Sequence, residues 1–173
     1  MDKNIKERWK AIDQGLVPKG YKKTKVGIIP DDWDVKKLGE VFETYSGGTP
    51  STKITEYYQD GKIPWIRSTD INKKRIKSVD KYITELGFKN SSAKKVEKGN
   101  ILLALYGATA GKIAITKMNA TINQAILCIN SKDVNLGYNN YLYYVLFNNE
   151  DRIVLKYSQG GQPNLSGKII REL

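Results

Sequence analysis

The spacing of apolar residues changes along this chain, and each change predicts a different kind of element. Over residues 3–14, Ile5, Trp9 and Ile12 recur at the spacing of one helical face and Leu16 continues it, so a short amphipathic helix is predicted. Gly15, Pro18 and Gly20 then break the chain. Tyr21 to Pro30 reads as a basic lead-in, followed by an Asp31-Asp32-Trp33 turn. From Trp33 the pattern is short apolar runs between turn residues. Trp33, Val35 and Leu38 predict the start of a strand; Val41, Phe42 and Tyr45 predict its end near Gly47-Gly48. Ile63-Pro64-Trp65-Ile66 reads as a short buried strand, and Tyr82-Ile83-Thr84 as the approach to a brief helix at Glu85–Phe88. The clearest strand is Asn100–Tyr106, bounded by Gly99 and Gly107, followed by Lys112–Thr116 and Gln124–Ile129.

Between Tyr138 and Tyr157 the period becomes helical, through Tyr141, Leu142, Val145, Leu146, Ile153 and Val154, with Asn148-Asn149 a candidate break between two helices. A polar loop, Ser158–Asn164, precedes a further amphipathic stretch, Leu165–Leu173. Nine residues make about 13 Å of helix, and the apolar stripe stops in mid-pattern. It is expected to be the start of a longer helix. The pattern therefore predicts a mixed α/β chain of the α+β kind, a small β-rich domain with flanking helices. The expected organisation is an N-terminal helix and linker over 1–20, a domain over 21–164, and the first turns of a helix over 165–173.

Composition removes several classes of function. The 173 residues contain no histidine and one cysteine, Cys128. Histidine-dependent triads, HExxH proteases and His-ligated zinc deaminases are excluded, as are an internal disulfide and a thiolate zinc cluster. The N-terminus lacks the apolar stretch of an export signal, so a cytoplasmic protein is expected. Charge adds a positive indication. Lys and Arg number 29 against 18 Asp and Glu, a net +11. The excess is clustered, net +5 over residues 1–25, +4 over 72–81 and +3 over 89–98, between apolar runs. That distribution suits a folded domain with a charged face and a polyanionic partner.

Candidate catalytic motifs fail on spacing. Gly107-Ala-Thr-Ala-Gly111-Lys112-Ile113 has three residues between its glycines where a phosphate loop needs four, and Ile113 where it needs Ser or Thr. Asp31, Asp34 and Lys36 imitate a metal-dependent nuclease signature, but they occupy one short turn, and such sites want carboxylates from separate strands. The Asp-Pro-Pro-Tyr type of motif of adenine methyltransferases is absent. The sequence is read as non-catalytic.

Four pieces occur in order: Leu38-Gly-Glu-Val41 with Tyr45-Ser-Gly-Gly-Thr-Pro-Ser51; Gly61-Lys-Ile-Pro-Trp-Ile-Arg-Ser-Thr-Asp70; Tyr106-Gly-Ala-Thr-Ala-Gly-Lys112; and Asn123-Gln-Ala125 followed by Gly160-Gly-Gln-Pro-Asn-Leu165. Together they resemble the target-recognition domain of type I restriction-modification specificity (S) subunits, over roughly residues 21–173. The resemblance implies a non-catalytic reader of one half of a bipartite sequence in double-stranded DNA. It implies partnership with modification (methyltransferase) subunits, which hold the S-adenosylmethionine, and with restriction subunits that cut. It also implies methylation of an adenine in the half-site. Members of the family carry two such domains separated by long helices, so this chain is expected to be a half-subunit or a fragment that pairs with a second recognition domain.

The pieces suggest individual roles. Gly47 and Gly48 permit close backbone approach, and Thr49 and Ser51 can donate to phosphate oxygens; an ordinary turn explains them equally. Arg67, Ser68, Thr69 and Asp70 follow an apolar strand and suit base or phosphate reading, with Arg67–Asp70 pairing as the structural alternative. Lys73 and Lys74, with Arg75 and Lys77, suit phosphate attraction or a solvated face. Tyr106, Thr109 and Lys112 flank a glycine-bounded turn that can meet the DNA backbone. Asn123 and Gln124 have the amides suited to adenine, or to capping turns. Gln159, Gln162 and Asn164 form a second amide-rich loop, Asn164 also being a candidate N-cap for the last helix. Two other readings remain, a small metal-dependent nuclease and a basic protein-interaction module.

Overall fold

The computed structural model describes residues 3–133, 138–157 and 164–173. It divides the chain into two compact units, Met1–Lys36 and Lys37–Leu173. In the first, α1 (Lys3–Asp13) is the helix expected from its apolar stripe, and Trp9 on it is exposed. The basic lead-in is not irregular. Tyr21–Thr24 (β1) and Gly27–Pro30 (β2) form an antiparallel hairpin. Thr24 closes its turn by donating through Oγ1 to the Gly27 carbonyl at 2.8 Å and accepting from the Val26 amide at 3.2 Å.

The second unit is layered around two sheets. Leu38–Val41 (α2) is a helical turn where a strand was expected. The Lys37 amide donates to Glu40 Oε2 at 3.2 Å, and the Leu38 amide to the Leu173 carbonyl at 2.9 Å. These tertiary and capping bonds override the apolar alternation, and the strand begins only at Phe42–Ser46 (β3). Ile63–Ile66 (β4), Arg75–Ile76 (β5), Tyr82–Ile83 (β6), Lys94–Val96 (β7), Ile101–Ala104 (β8), Ile113–Thr116 (β9), Ala120–Ile122 (β10) and Ile126–Ser131 (β11) follow. One sheet has the order β3-β11-β8-β9-β5 and the other β6-β4-β10-β7. Pairing is antiparallel except for β4 with β10 and β5 with β9.

Alternation along the central strands separates the layers. Ile101, Leu103, Ile113, Ile115, Leu127 and Ile129 face a cluster completed by helices α2, α4 (Tyr138–Phe147), α5 (Glu150–Tyr157) and α6 (Gly167–Arg171). Leu102, Ala104, Ala114, Ile126 and Cys128 face the other way, onto Ile66, Val96 and Ile122 of the smaller sheet. A third, small cluster of Trp65, Ile83 and Ala93 packs with Tyr58, Ile63 and Phe88, the last from α3 (Glu85–Lys89). The Asn148-Asn149 break lies between α4 and α5 as expected. The last helix is shorter than expected, and its N-cap is Ser166, which accepts from the Ile169 amide at 3.2 Å. Asn164 instead bridges to Tyr106. Among the described residues no helix is long and apolar enough to cross a membrane.

Cys128 is fully buried between the sheets, and burial pushes its thiol from 9.0 up to about 12. Burial also raises the Tyr45 phenol, whose hydroxyl donates to the Lys95 carbonyl at 2.9 Å. Both groups stay protonated in the folded state after they would ionise in the unfolded one. Stability is therefore retained below pH 9 and falls as the pH rises from 9 towards 12, by about 1.4 kcal/mol per unit for Cys128, with Tyr45 adding to the fall above pH 10. Urea titrations at rising pH should show this decline, and Cys128→Ala should flatten its first part.

Candidate nucleic-acid interface

The pieces that stand far apart in the sequence meet at the ends of the strands. Leaving β3, the chain passes against the end of β10, where the Gly48 amide donates to the Ile122 carbonyl at 3.1 Å. No side chain fits at this crossing. A Cβ on Gly47 would lie 1.9 Å from the Ile122 oxygen, and one on Gly48 1.9 Å from Ser92 Oγ. The two glycines thus have a packing reason within the fold. Trp65 ties in β4 by donating from Nε1 to the Gly48 carbonyl at 3.3 Å, and the Asn123 amide donates to the Ile66 carbonyl at 3.3 Å. Asn123 also accepts from the Ala125 amide through Oδ1 at 3.2 Å, so this amide caps its turn. Gln124 is exposed beside it and accepts from Thr49 Oγ1 at 2.6 Å.

The row of bonds continues sideways. The Leu105 amide donates to the Ala125 carbonyl, and the Leu165 amide to the Leu105 carbonyl, both at 2.8 Å. Tyr106 and Asn164, partners in an isolated antiparallel bridge, thereby lie at the same end of the domain as Gln124. Thr49, Ser51, Thr69, Tyr106, Gln124 and Asn164 are exposed there, with Arg67 and Ser68 half-buried. Gln159 and Gln162 lie outside the described residues.

Other predicted residues are held by the fold. Asp70 is buried; its Oδ2 accepts from the Arg67 backbone amide at 3.0 Å and its Oδ1 pairs with Lys73 at 3.1 Å. The carboxylate caps the 3-10 turn Ser68–Lys73, and it is the Arg67 backbone, not the guanidinium, that meets it. Thr109 is buried, 6% exposed. Lys74 lies over the Phe147 ring at 4.9 Å, and Arg75 donates to the Tyr144 hydroxyl at 3.1 Å, so both point to α4. Lys112 pairs with Glu150 Oε2 at 3.1 Å, while Glu150 Oε1 accepts from the Ile113 amide at 2.7 Å. Gly111 has a φ of 81° and lies against Val154, which fixes the turn on α5. Glu150→Ala should cost about 1–3 kcal/mol in urea denaturation by leaving the Ile113 amide without that acceptor, and Glu150→Gln clearly less.

Sequence reasoning did not find a cleft of about 480 Å³ beside Arg67, lined by Tyr58, Trp65, Asp80, Tyr82 and others. Only Arg67 carried a signal. The carboxylates of the nuclease reading are not gathered: Asp34 lies 3.9 Å from Lys22, and among the described residues no group of three His, Cys, Asp or Glu is placed to hold a metal.

The family model described as the type I restriction modification DNA specificity domain matches residues 30–173. The chain belongs to that family. It is 37% identical over 174 residues to the type I restriction enzyme MjaIX specificity subunit of Methanocaldococcus jannaschii, a match covering 98% of this chain and 38% of that protein. The specificity domain therefore spans well under half the length of this relative. Two solved structures share its fold. The HsdS subunit of Thermoanaerobacter tengcongensis superposes with a TM-score of 0.62 at 16% identity, over 98% of this chain and 39% of that one. The type I restriction-modification system S subunit of M. genitalium superposes at 0.54 and 15% identity, over 80% and 32%.

Proposed function

We propose that this domain reads one half of a bipartite site in double-stranded DNA. On this reading it is the specificity element to which modification and restriction subunits attach, directing methylation of an adenine by the partner enzyme. The observation that carries the reading is the convergence at one end of the domain of segments from all four family pieces, 47–51, 66–69, 105–106, and 123–125 with 164–165. Thr49 with Gln124, Arg67–Thr69, and Tyr106 with Asn164 present hydroxyls, amides and a guanidinium there. These groups match the donors and acceptors of base edges. The net charge of +11 supports attraction of the chain to phosphate, although Lys73 is already ion-paired and Lys112 is held by Glu150. Gly47, Gly48, Asp70, Asn123 and Thr109 act in this reading by shaping the loops rather than by touching bases. Ser51 and Ser68 meet the DNA backbone, while Lys74, over the Phe147 ring, holds α4. The nine C-terminal residues 165–173 serve as the approach to a spacer helix that docks the methyltransferase.

The test is binding of the purified chain to a randomised duplex pool, with selection, sequencing and a salt titration. A short enriched half-site containing adenine is expected. Neutralising three phosphates would lower affinity roughly 40-fold between about 50 and 200 mM salt. Salt-sensitive binding without any enriched sequence would reduce the proposal to a basic face. Absence of binding at low salt would favour the protein-interaction reading.

A further inference from the structure

We propose that the cleft beside Arg67 is a pocket for a single guanine base. The inference rests on the DNA-reading role proposed above and assigns a ligand group to part of that site. At about 480 Å³ the cleft falls in the size range of small-molecule sites. Its walls include three aromatic rings, two of them fixed. Tyr58 and Trp65 meet edge to face at 6.0 Å between centroids. Trp65 Nε1 donates to the Gly48 carbonyl, and the Tyr58 hydroxyl donates to the Pro50 carbonyl at 2.5 Å. Their polar ends are thus committed to the reading loop, and the rings can offer only apolar surface to a ligand. Tyr82, partly exposed, adds a third ring.

The polar groups of the cleft select the base. Arg67 Nε is buried and has no hydrogen-bond partner among the described residues, while the residue's backbone amide is bonded to Asp70. A desolvated donor without an acceptor is a standing penalty that a ligand acceptor removes. Asp60, held at a φ of 56°, and Asp80 line the same cleft, with Lys81 beside Asp80. Guanine matches both signs: O6 and N7 accept from a guanidinium, and N1–H and N2–H2 donate to a carboxylate. Adenine presents a donor where Arg67 needs an acceptor, and pyrimidines lack N7. Trp65 is 7% exposed, so its ring lies below the surface that a groove edge touches. A base out of its stack enters such a cleft, and the aromatic walls replace the neighbours it leaves. The source is either an extrahelical guanine of the bound DNA or a free guanine nucleotide.

Trp9→Phe with Trp33→Phe in the full chain leaves Trp65 as its single tryptophan. Its fluorescence is titrated with GMP, AMP, a duplex carrying one bulged guanine, the same duplex with a bulged thymine, and the fully paired duplex. Anisotropy of the labelled duplexes is recorded in parallel. Saturable quenching by the guanine bulge, at a concentration about tenfold or more below that for the thymine bulge, is expected, with this preference lost in Arg67→Ala and in Tyr82→Ala. Quenching by GMP over AMP without a gain from the bulge assigns the pocket to the free nucleotide. If that occurs with no duplex binding at any salt, the pocket stands and the DNA-reading role falls. Duplex binding without base-dependent quenching overturns the pocket and leaves the reading role intact, as does equal quenching by every base.

Discussion

Gly47→Ala is expected to remove most of the stability of the 37–173 unit. The new methyl would sit 1.9 Å from the Ile122 carbonyl oxygen, 2.6 Å from its carbon and 2.9 Å from its Cγ1. Ile122 cannot yield cheaply. It is fully buried, and its backbone is paired on one side with Ile66 and on the other with Lys94. Relief requires moving β10 within its sheet, or parting the loop from it and losing the Gly48–Ile122 bond. Losses above about 4 kcal/mol belong to this kind of clash, and a domain of this size holds about 5–15 kcal/mol in all. A fall in Tm of about 8–16 °C is the least expected, with failure to fold as the upper limit. Gly48→Ala should cost less, because Ser92 Oγ, its nearest obstacle, sits on a side chain that can turn, although Ser92 C remains at 2.7 Å. Thr49→Ala, on the exposed next residue, should stay within about 1 kcal/mol. Thermal melts of the three variants followed by circular dichroism decide the matter. A Gly47→Ala protein melting within about 2 °C of its parent would contradict the packing described.

The same glycines show what a sequence can and cannot reveal. Their presence before Thr49-Pro50 marked a turn, but the requirement for glycine comes from Ile122 and Ser92, more than 40 residues away in the chain. Elements with their own pattern were legible. The apolar runs of β8, β9 and β11, each fully buried over most of its length, stood out between turn residues, and Asn148-Asn149 marked the break between α4 and α5. Elements defined by partners were not. β5 and β6 have two residues each and exist through their pairing with β9 and β4. The β1–β2 hairpin was hidden behind its lysines, and α2 behind an alternation that suggests a strand. In the site, residue types were readable but their partners were not. Lys112 is held by Glu150, 38 positions on, and Gln124 meets Thr49, 75 positions back. Tyr58 carried no local signal, and Tyr82 only that of the approach to a helix, because the cleft they line is made by the packing of β4, β6 and the Thr55–Tyr57 turn.

Gln124→Ala is expected to abolish discrimination at one base position of the selected half-site, by about 10–100-fold, with little change elsewhere. A glutamine reads adenine by accepting from N6–H and donating to N7, worth about 1–3 kcal/mol against the wrong base. That geometry needs a fixed amide plane. Thr49 Oγ1 supplies it by donating to Gln124 Oε1, which fixes the oxygen end and leaves the NH2 protons directed by the same plane. The backbone beneath is also fixed, through the Asn123–Ala125 and Asn123–Ile66 bonds. Thr49→Val should therefore act in the same direction with a smaller effect, about 3–10-fold, because the reading group survives and only its orientation is freed. Neither substitution removes a charge, so the salt slope of binding should be unchanged and non-specific affinity should stay near that of the parent. Selection and sequencing with each variant, alongside salt titrations, separate the two effects. If Gln124→Ala weakened binding to all sequences equally and kept the base preference, Gln124 would be a loop anchor, and the reading surface would have to be sought at Arg67 and Asn164.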